Sequence, residues 1–493
     1  MTWRDYHNST KHTSESLRRS RHFLDWANMP DPFRHYEGVP VLDLPADPPG
    51  PQIPALQLLQ GASGVTPVQD GPTFLSQLLF YSAAISASKR APSGSRYALR
   101  VNPSSGNLHP TEFHFFTRGL KNWPDGLYHY RPSSHMAEQR ALGDFHSKLP
   151  GSYGPVVFIL TSIVWREAWK YQDRAYRYCL HDIGHAWQAL ALSAQAIGCS
   201  SVATGRFPDD ELAQLCGFSE DEWPMLLLSL SGASIPLLPS RPAHFERAVW
   251  FDGRANALSP KTLTYSRIQD IHAATKLNAD CQAKPAEPSL NSRASGGIEL
   301  PAPATSAVTF AEVSRTRRSA LDFIGGTSMT LAQLSAVLRT FNLPLHADFA
   351  NTRFVQIYLY VHEVEDLAPG VYLYESETAK LKPIKSGDQR VVAAGLSLGQ
   401  ELAGNSCVTF SMIADLDHAV RTHGERGYRY VHFEAGAIGQ RFYLAAEALG
   451  LRATGIGAFF DEEVHRYLEL PSGLQVVYHF AIGHAVPDPR IEA

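Results

Sequence analysis

What constrains this chain most is that part of it is written twice. Residues 173–209 (DRAYRYCLHDIGHAWQALALSAQAIGCSSVATGRFPD) align without a gap on residues 425–461 (ERGYRYVHFEAGAIGQRFYLAAEALGLRATGIGAFFD). Arg174, Tyr176, Arg177 and Tyr178 fall on Arg426, Tyr428, Arg429 and Tyr430. Gly184, Gln188, Leu192, Gly198, Gly205, Phe207 and Asp209 fall on Gly436, Gln440, Leu444, Gly450, Gly457, Phe459 and Asp461. A period this long is not that of a solenoid, so the repeated unit is a domain. Two like domains in one chain are expected to pack face to face as a fused dimer, each using the same patch. The repeated helix carries small residues (Ala191, Ala194, Ala196; Ala445, Ala446, Ala448) that permit close helix approach, either at that interface or inside each domain.

The elements around the repeat recur in one order. In the first unit Thr73 to Ala87 has helical spacing, with Phe74, Leu78, Tyr81 and Ile85 on one face. Residues 112–116 alternate as a strand, GLYHY (126–130) reads as a hairpin arm, and 156–160 and 225–232 read as buried strands. In the second unit a helix is expected over 330–341, with Thr330 as its N-cap, and strands over 353–361, 370–374, 407–413 and 476–483. The expected fold class is α+β: two tandem domains, each a mainly antiparallel sheet with flanking helices, packed as a pseudo-dimer. The expected boundaries are a proline-rich wrapping arm at 1–72, a domain at 73–254, a linker at 255–305 and a domain at 306–493. Trp3, Tyr6, Phe23, Trp26, Phe33 and Tyr36 are the arm's candidate anchors, and its basic cluster SLRRSRHF (16–23) reads as a solvated turn.

Bulk properties exclude some classes. A net charge of −4 gives no case for nucleic acid or an anionic membrane surface. No apolar run reaches the roughly 20 residues that span a bilayer, and the N-terminus has no apolar signal core. Five scattered cysteines (Cys179, Cys199, Cys216, Cys281, Cys407) without a CxxC fit a cytoplasmic setting. His181 and His185 have ligand-compatible spacing but no third ligand, so no metal is expected. Arg174, Arg177, Arg426 and Arg429 occur in both units and are expected to form structural pairs with Asp182 and Glu434.

The units differ where chemistry would sit. Only the first has the loop Asn102-Pro103-Ser104-Ser105-Gly106-Asn107-Leu108-His109-Pro110; the aligned stretch HADFANTRFVQ (346–356) lacks its prolines and serines. Only the second has Ser314-Arg315-Thr316-Arg317-Arg318-Ser319, forked donors and hydroxyls that suit a phosphate, or else a solvated basic helix end. Lys170-Tyr171 precedes the first copy of the repeat, while Thr422 and His423 stand in the second.

The combination of RRSxxxF, PSSGNLHP, GLYHY, KYxxRAYRY and GxGxF resembles the nitroreductase superfamily of FMN enzymes, and within it the branch of SagB-type dehydrogenases that oxidise thiazoline and oxazoline rings in peptides. The resemblance implies FMN at the interface. Arg317, Arg318 and Ser319 would meet its phosphate and ribityl chain, and Gly455 and Gly457 would lie beside N5, all from the second unit. Pro103, Ser104, Ser105 and Asn107 of the first would lie against the ring. The reciprocal site lacks its PSxxN loop, so one flavin per chain is expected. The family usually has a basic residue two places after the RRS serine; Leu321 stands there, with Arg315 or Arg490 as candidate substitutes. Lys170 and Tyr171 match a pair implicated in proton removal in azoline dehydrogenases; the competing reading is a solvated lysine beside a core tyrosine. Other readings of the same resemblance are an NAD(P)H-dependent nitro or quinone reductase acting on a small molecule, a non-catalytic flavin-binding or storage protein, and a flavin-free structural partner. Further oligomerisation is left open.

Overall fold

The computed structural model describes residues 1–493 apart from 21, 67, 92–93, 150, 240–247, 279–295, 351–352 and 493. Arg21 of the basic cluster, Cys281 and the middle of the 255–305 segment lie outside the described residues.

The first half begins with α1 (Trp3–Ser9) and α2 (Gly71–Phe80), then a hairpin of β1 (Ile85–Arg90) and β2 (Arg96–Arg100). Asp70 caps α2 by accepting from Thr73 N. The helical spacing expected to run to Ala87 stops at Tyr81, and Ile85 instead opens β1, paired with Arg100. Tertiary pairing with β2 overrides the local period there. Strands β3 (Thr111–Thr117), β4 (Gly126–Arg131), β5 (Met136–Leu142) and β6 (Val156–Ser162) lead to α3 (Trp165–Tyr171) and the long helix α4 (Ala175–Ala196), followed by β7 (Ser200–Thr204) and β8 (Trp223–Ser231). These six strands form an antiparallel sheet in the order β5-β4-β3-β6-β8-β7. Every residue of β3 and β6 is buried; β6 opens on the apolar run VVFIL, whereas β3 alternates, its buried Glu112 and His114 paired with Arg166 and Glu222.

Within 255–305 the chain forms α5 (Ser266–Thr275). The second half continues with α6 (Phe310–Thr316), α7 (Leu331–Arg339), β9 (Val355–Val361), β10 (Gly370–Glu375), β11 (Lys380–Ser386), β12 (Val408–Asp415), the long helix α8 (Gly427–Ala448), β13 (Arg452–Ile456), β14 (Leu474–Gly483) and β15 (Ile491–Glu492). Thr330 caps α7 as expected, accepting from Gln333 N in a capping box. The sheet order β11-β10-β9-β12-β14-β13 reproduces the first half, so the duplicated domain is visible strand for strand. Strand β15 leaves the second half to pair with β1 of the first.

The halves meet across α4 and α8. A Cβ on Gly184 would overlap the Phe433 carbonyl, and one on Gly436 would overlap the His181 carbonyl. The close approach is therefore made by these two glycines of the repeat rather than by the alanines downstream. Around them the ion pairs are reciprocal. Arg174 and Arg177 of the first half hold Asp461 at 2.9 and 2.8 Å. Arg426 and Arg429 of the second hold Asp209 at 2.5 and 2.8 Å. Asp182 and Glu434, the partners expected from sequence, stand five residues beyond Arg177 and Arg429, off the facing side of the same helix. Asp182 bonds Ser104 and Ser105 instead, and Glu434 accepts from Phe354 N and Val355 N.

Both arginine pairs are finished by an N-terminal helix. Thr10 accepts from Arg177 Nε at its hydroxyl (3.1 Å) and from Arg174 Nη1 at its carbonyl (2.7 Å). Thr275 does the same for Arg429 Nε (2.8 Å) and Arg426 Nη1 (3.1 Å). Thus α1 and α5 are counterparts, and both carry H-x-x-T-K (7–11 and 272–276). Of the arm's aromatics Trp3, Tyr6 and Tyr36 are buried, whereas Phe23 and Trp26 are 80% and 68% exposed, Trp26 meeting the Trp169 ring edge-on at 5.3 Å.

Candidate functional site

A cavity of about 430 Å³ opens at the seam, with walls from both halves. The first half contributes the β1–β2 hairpin, the loop 102–107, Tyr171, and Tyr178, Asp182 and His185 of α4. The second contributes 317–321, Tyr443, 454–458, Tyr478 and Ile491. Pro103, Ser104, Ser105, Asn107, Tyr171, Arg317, Arg318, Ser319, Gly455 and Gly457 all line it. Arg315 and Lys170 do not.

The loop is held from below by a buried carboxylate. Asp182 accepts from Ser104 Oγ at 2.6 Å, from Ser105 N at 3.2 Å and from Ser105 Oγ at 3.1 Å. Burial pushes the Asp182 carboxyl up to about 7 against the pull of those donors. Asn107, at φ 60°, spends its side chain within the loop: Nδ2 donates to Ala98 O at 3.0 Å and Oδ1 meets His109 Nε2 at 3.0 Å.

On the wall from the second half the arginines lack counter-charges. Arg317 donates Nε to Val101 O and Nη2 to Arg100 O, and its Nη1 has no partner. Arg318 donates to Ser86, Arg315 O and Arg317 O, and its Nε has none. Burial, then the neighbouring Arg317 and Arg452, push the Arg318 guanidinium down to about 10. Glu447 beside them is paired with Arg452 instead, at 2.5 Å. Among the described residues neither Arg317 nor Arg318 makes an ion pair, so this wall presents net positive charge. Ser319 Oγ lies 2.9 Å from Tyr443 Oη, which also accepts from Gly455 N at 2.8 Å. Of the two candidate substitutes for Leu321, Arg315 stacks on Phe80 at 4.0 Å and Arg490 pairs with Asp488 at 2.8 Å. Leu321 itself lines the cavity and is 52% exposed.

Lys170 and Tyr171 end α3 against the loop: a Cβ on Gly106 would stand 2.7 Å from Tyr171 Oη and 3.1 Å from Lys170 Nζ. Lys170 Nζ sits 5.1 Å from the Tyr171 ring centroid. Behind them Glu167 is wholly buried with neither carboxyl oxygen partnered. Burial, then Asp182, push its carboxyl well above the usual range. Burial, then Glu167, Tyr178 and Asp182, raise the Tyr171 phenol well above its ordinary value.

The pseudo-symmetric seam is filled by the chain itself. Phe349 stacks on Tyr430 at 4.1 Å and 8°, over Gly205, and Asp348 accepts from Gly205 N (2.8 Å) and Arg206 N (3.1 Å). The counterparts of Gly205 and Arg206, Gly457 and Ala458, face the open cavity. Sequence reasoning missed Asp182, the hairpin wall with Arg100, and Tyr178, Tyr443 and Tyr478. Tyr178, Asp182 and Tyr443 come from the crossing helices α4 and α8, Arg100 from β2 and Tyr478 from β14; Tyr178 belongs to the repeat and is legible as a shared position.

Residues 82–232 and 315–484 each match the model of the nitroreductase family. A protein of Methanocaldococcus jannaschii assigned as a nitroreductase is 28% identical over 180 residues, covering 35% of this chain and 90% of that protein. The trifolitoxin operon protein TfxC of Rhizobium leguminosarum bv. trifolii is 33% identical over 110 residues, 22% of this chain and 31% of that protein. A crystal structure from Anabaena variabilis, also assigned as a nitroreductase, superposes with a TM-score of 0.80 at 26% identity, covering 98% of this chain and 99% of that one.

Proposed function

This chain belongs to the nitroreductase family, and from that premise we propose that it is an oxidoreductase holding one FMN per chain in the seam cavity and oxidising an azoline ring in a peptide. The observation that carries the reading is the buried Arg317 and the half-buried Arg318, both left without carboxylates beside a cavity that both halves wall. Unpartnered buried cations are costly unless an anion meets them, and a flavin phosphate is such an anion. The residues fit that cofactor: Arg317, Arg318 and Ser319 offer cations and a hydroxyl, and the Pro103–Asn107 loop, Gly455 and Gly457 line the same cavity. When bound, FMN supplies the acceptor for a hydride leaving a ring carbon.

The chain's own residues do the rest. Arg317, Arg318 and Ser319 bind and orient the phosphate and ribityl chain. Gly457 leaves room for Tyr178, whose hydroxyl donates to the Gly457 carbonyl at 3.1 Å and fixes the segment that would lie beside the ring. Aromatising an azoline also removes a proton from a second ring atom. Tyr171 remains a neutral phenol, so its part is to hydrogen-bond and orient. Lys170, whose Nζ stands against Gly106 rather than on the cavity wall, would take the proton only as the free amine. The relative from a toxin operon favours a biosynthetic peptide substrate over a detoxified small molecule.

The test is spectroscopic. The purified protein is expected to be yellow with one FMN per chain and to be bleached anaerobically by an azoline peptide. Bleaching by NADPH alone would favour the reductase reading, and a colourless protein that takes up no FMN would end both. K170A and Y171F are expected to keep the flavin while azoline oxidation falls by roughly 10²-fold or more. Unchanged turnover in both removes them from the mechanism.

A further inference from the structure

Two buried groups at the base of the loop are left over from the assignments above. Arg100 ends β2, lines the cavity and is 1% exposed. Its Nη2 donates to Pro32 O at 2.7 Å, but Nε and Nη1 have no partner. Two residues on, Asn102 also lines the cavity, is 2% exposed, and has an unpartnered Oδ1. Both are clamped across the seam, because Arg317 donates to the carbonyls of Arg100 and Val101.

Unsatisfied buried polar groups imply a partner that completes them. Here the completing group must offer acceptors to Arg100 and a donor to Asn102. A phosphate offers acceptors only. The pyrimidine edge of an isoalloxazine ring offers both, with C2=O and N1 as acceptors next to the N3–H donor.

We propose that Arg100 and Asn102 of the first half read the pyrimidine edge of the flavin, with Arg100 supplying the positive charge near N1 that Leu321 does not. This rests on the FMN reading of the cavity. Asn107, whose side chain is used up inside the loop, has no part in that edge. A fixed cation there favours the reduced, anionic ring, so Arg100 sets the potential as well as the affinity.

The test uses the full-length chain stripped of flavin, with FMN and riboflavin affinities read by fluorescence quenching and the midpoint potential by dye equilibration. R100Q and N102L are expected to weaken FMN and riboflavin by the same factor, about tenfold or more. R100Q is also expected to move the potential to a more negative value, and N102L to leave it nearly in place. R100K, which keeps the charge, is expected to hold the potential even if packing around Pro32 suffers. Leu321 is half-exposed at the cavity wall, so R100Q/L321K is expected to recover most of the potential. Loss of FMN affinity with riboflavin affinity intact would assign Arg100 to the phosphate and overturn the proposal. So would an R100Q protein with wild-type affinity and potential. A wild-type protein that binds neither flavin would overturn the cofactor reading itself, a result distinct from either.

Discussion

The reciprocal carboxylates allow one perturbation to be made twice, once beside the cavity and once beside the filled seam. Asp461 and Asp209 are each about 1% exposed, and each accepts from two buried arginines and one backbone N–H, His12 N and Leu277 N respectively, both at 2.9 Å. Replacing either with asparagine leaves two buried guanidiniums without a counter-charge. Breaking such a buried pair costs about 3–5 kcal/mol. At roughly 2–4 °C per kcal/mol for a unit of this size, each variant should melt about 10 °C lower. The functional outcomes should differ. Arg174 Nη2 also donates to Gly457 O at 3.3 Å, so D461N loosens the segment proposed to lie beside the flavin. Arg426 Nε makes the equivalent bond to Gly205 O at 2.7 Å, under Phe349. D461N should therefore weaken FMN binding about tenfold while D209N leaves it unchanged. Burial alone would raise the Asp461 carboxyl, but Arg174 and Arg177 win and hold it below the usual range. Its stabilisation is thus present above the unfolded carboxylate pKa and is lost as pH falls through the depressed value; D461N should lack that acid-limb loss. Melting curves and fluorescence titrations on the two proteins decide it. Equal loss of FMN affinity in both, or a loss of stability under about 1 kcal/mol in either, would refute the reasoning.

Two further predictions concern the scaffold. F349A removes a buried ring from the closed seam and should cost about 3–5 kcal/mol, yet absorbance should still count one flavin per chain, because the PSxxN serines are absent on that side; a second flavin would contradict the account of that seam. Glu112, bonded to Arg166 at 2.5 Å and His129 at 3.1 Å, is raised by burial but held down to about 2 by Arg166 and His129. It should contribute on the order of 3 kcal/mol above pH ~4.5 that disappears as pH falls toward 2, so urea midpoints of wild type and E112Q should converge in acid; parallel midpoints would exclude the pair as a source of stability.

Much of the architecture was legible because it is duplicated. The repeated RxYRY and its distant aspartate gave two equal halves, and the asymmetric loops set the two seams apart. What stayed hidden were positions defined only by apposition. The arginines were read as structural, but their partners lie in the opposite half, where no local spacing points. The H-x-x-T-K pair was in plain view at 7–11 and 272–276, yet it falls outside the ungapped alignment, since its offset differs from that of the long helices. The hairpin 85–100 lost to helical periodicity because Ile85 continues the stripe of α2 before β2 captures it. Arg100 carries no motif of its own; only two nitrogens without partners single it out.

The wedge formed by Phe349 has a consequence for how such a protein can change. In an assembly of identical subunits every substitution is made in both pockets at once, so a plug that stiffens one would abolish the other. Covalent fusion removes that tie. One side is free to become a rigid buttress, and the other can refine its loop, charge and substrate edge without an obligatory mirror change.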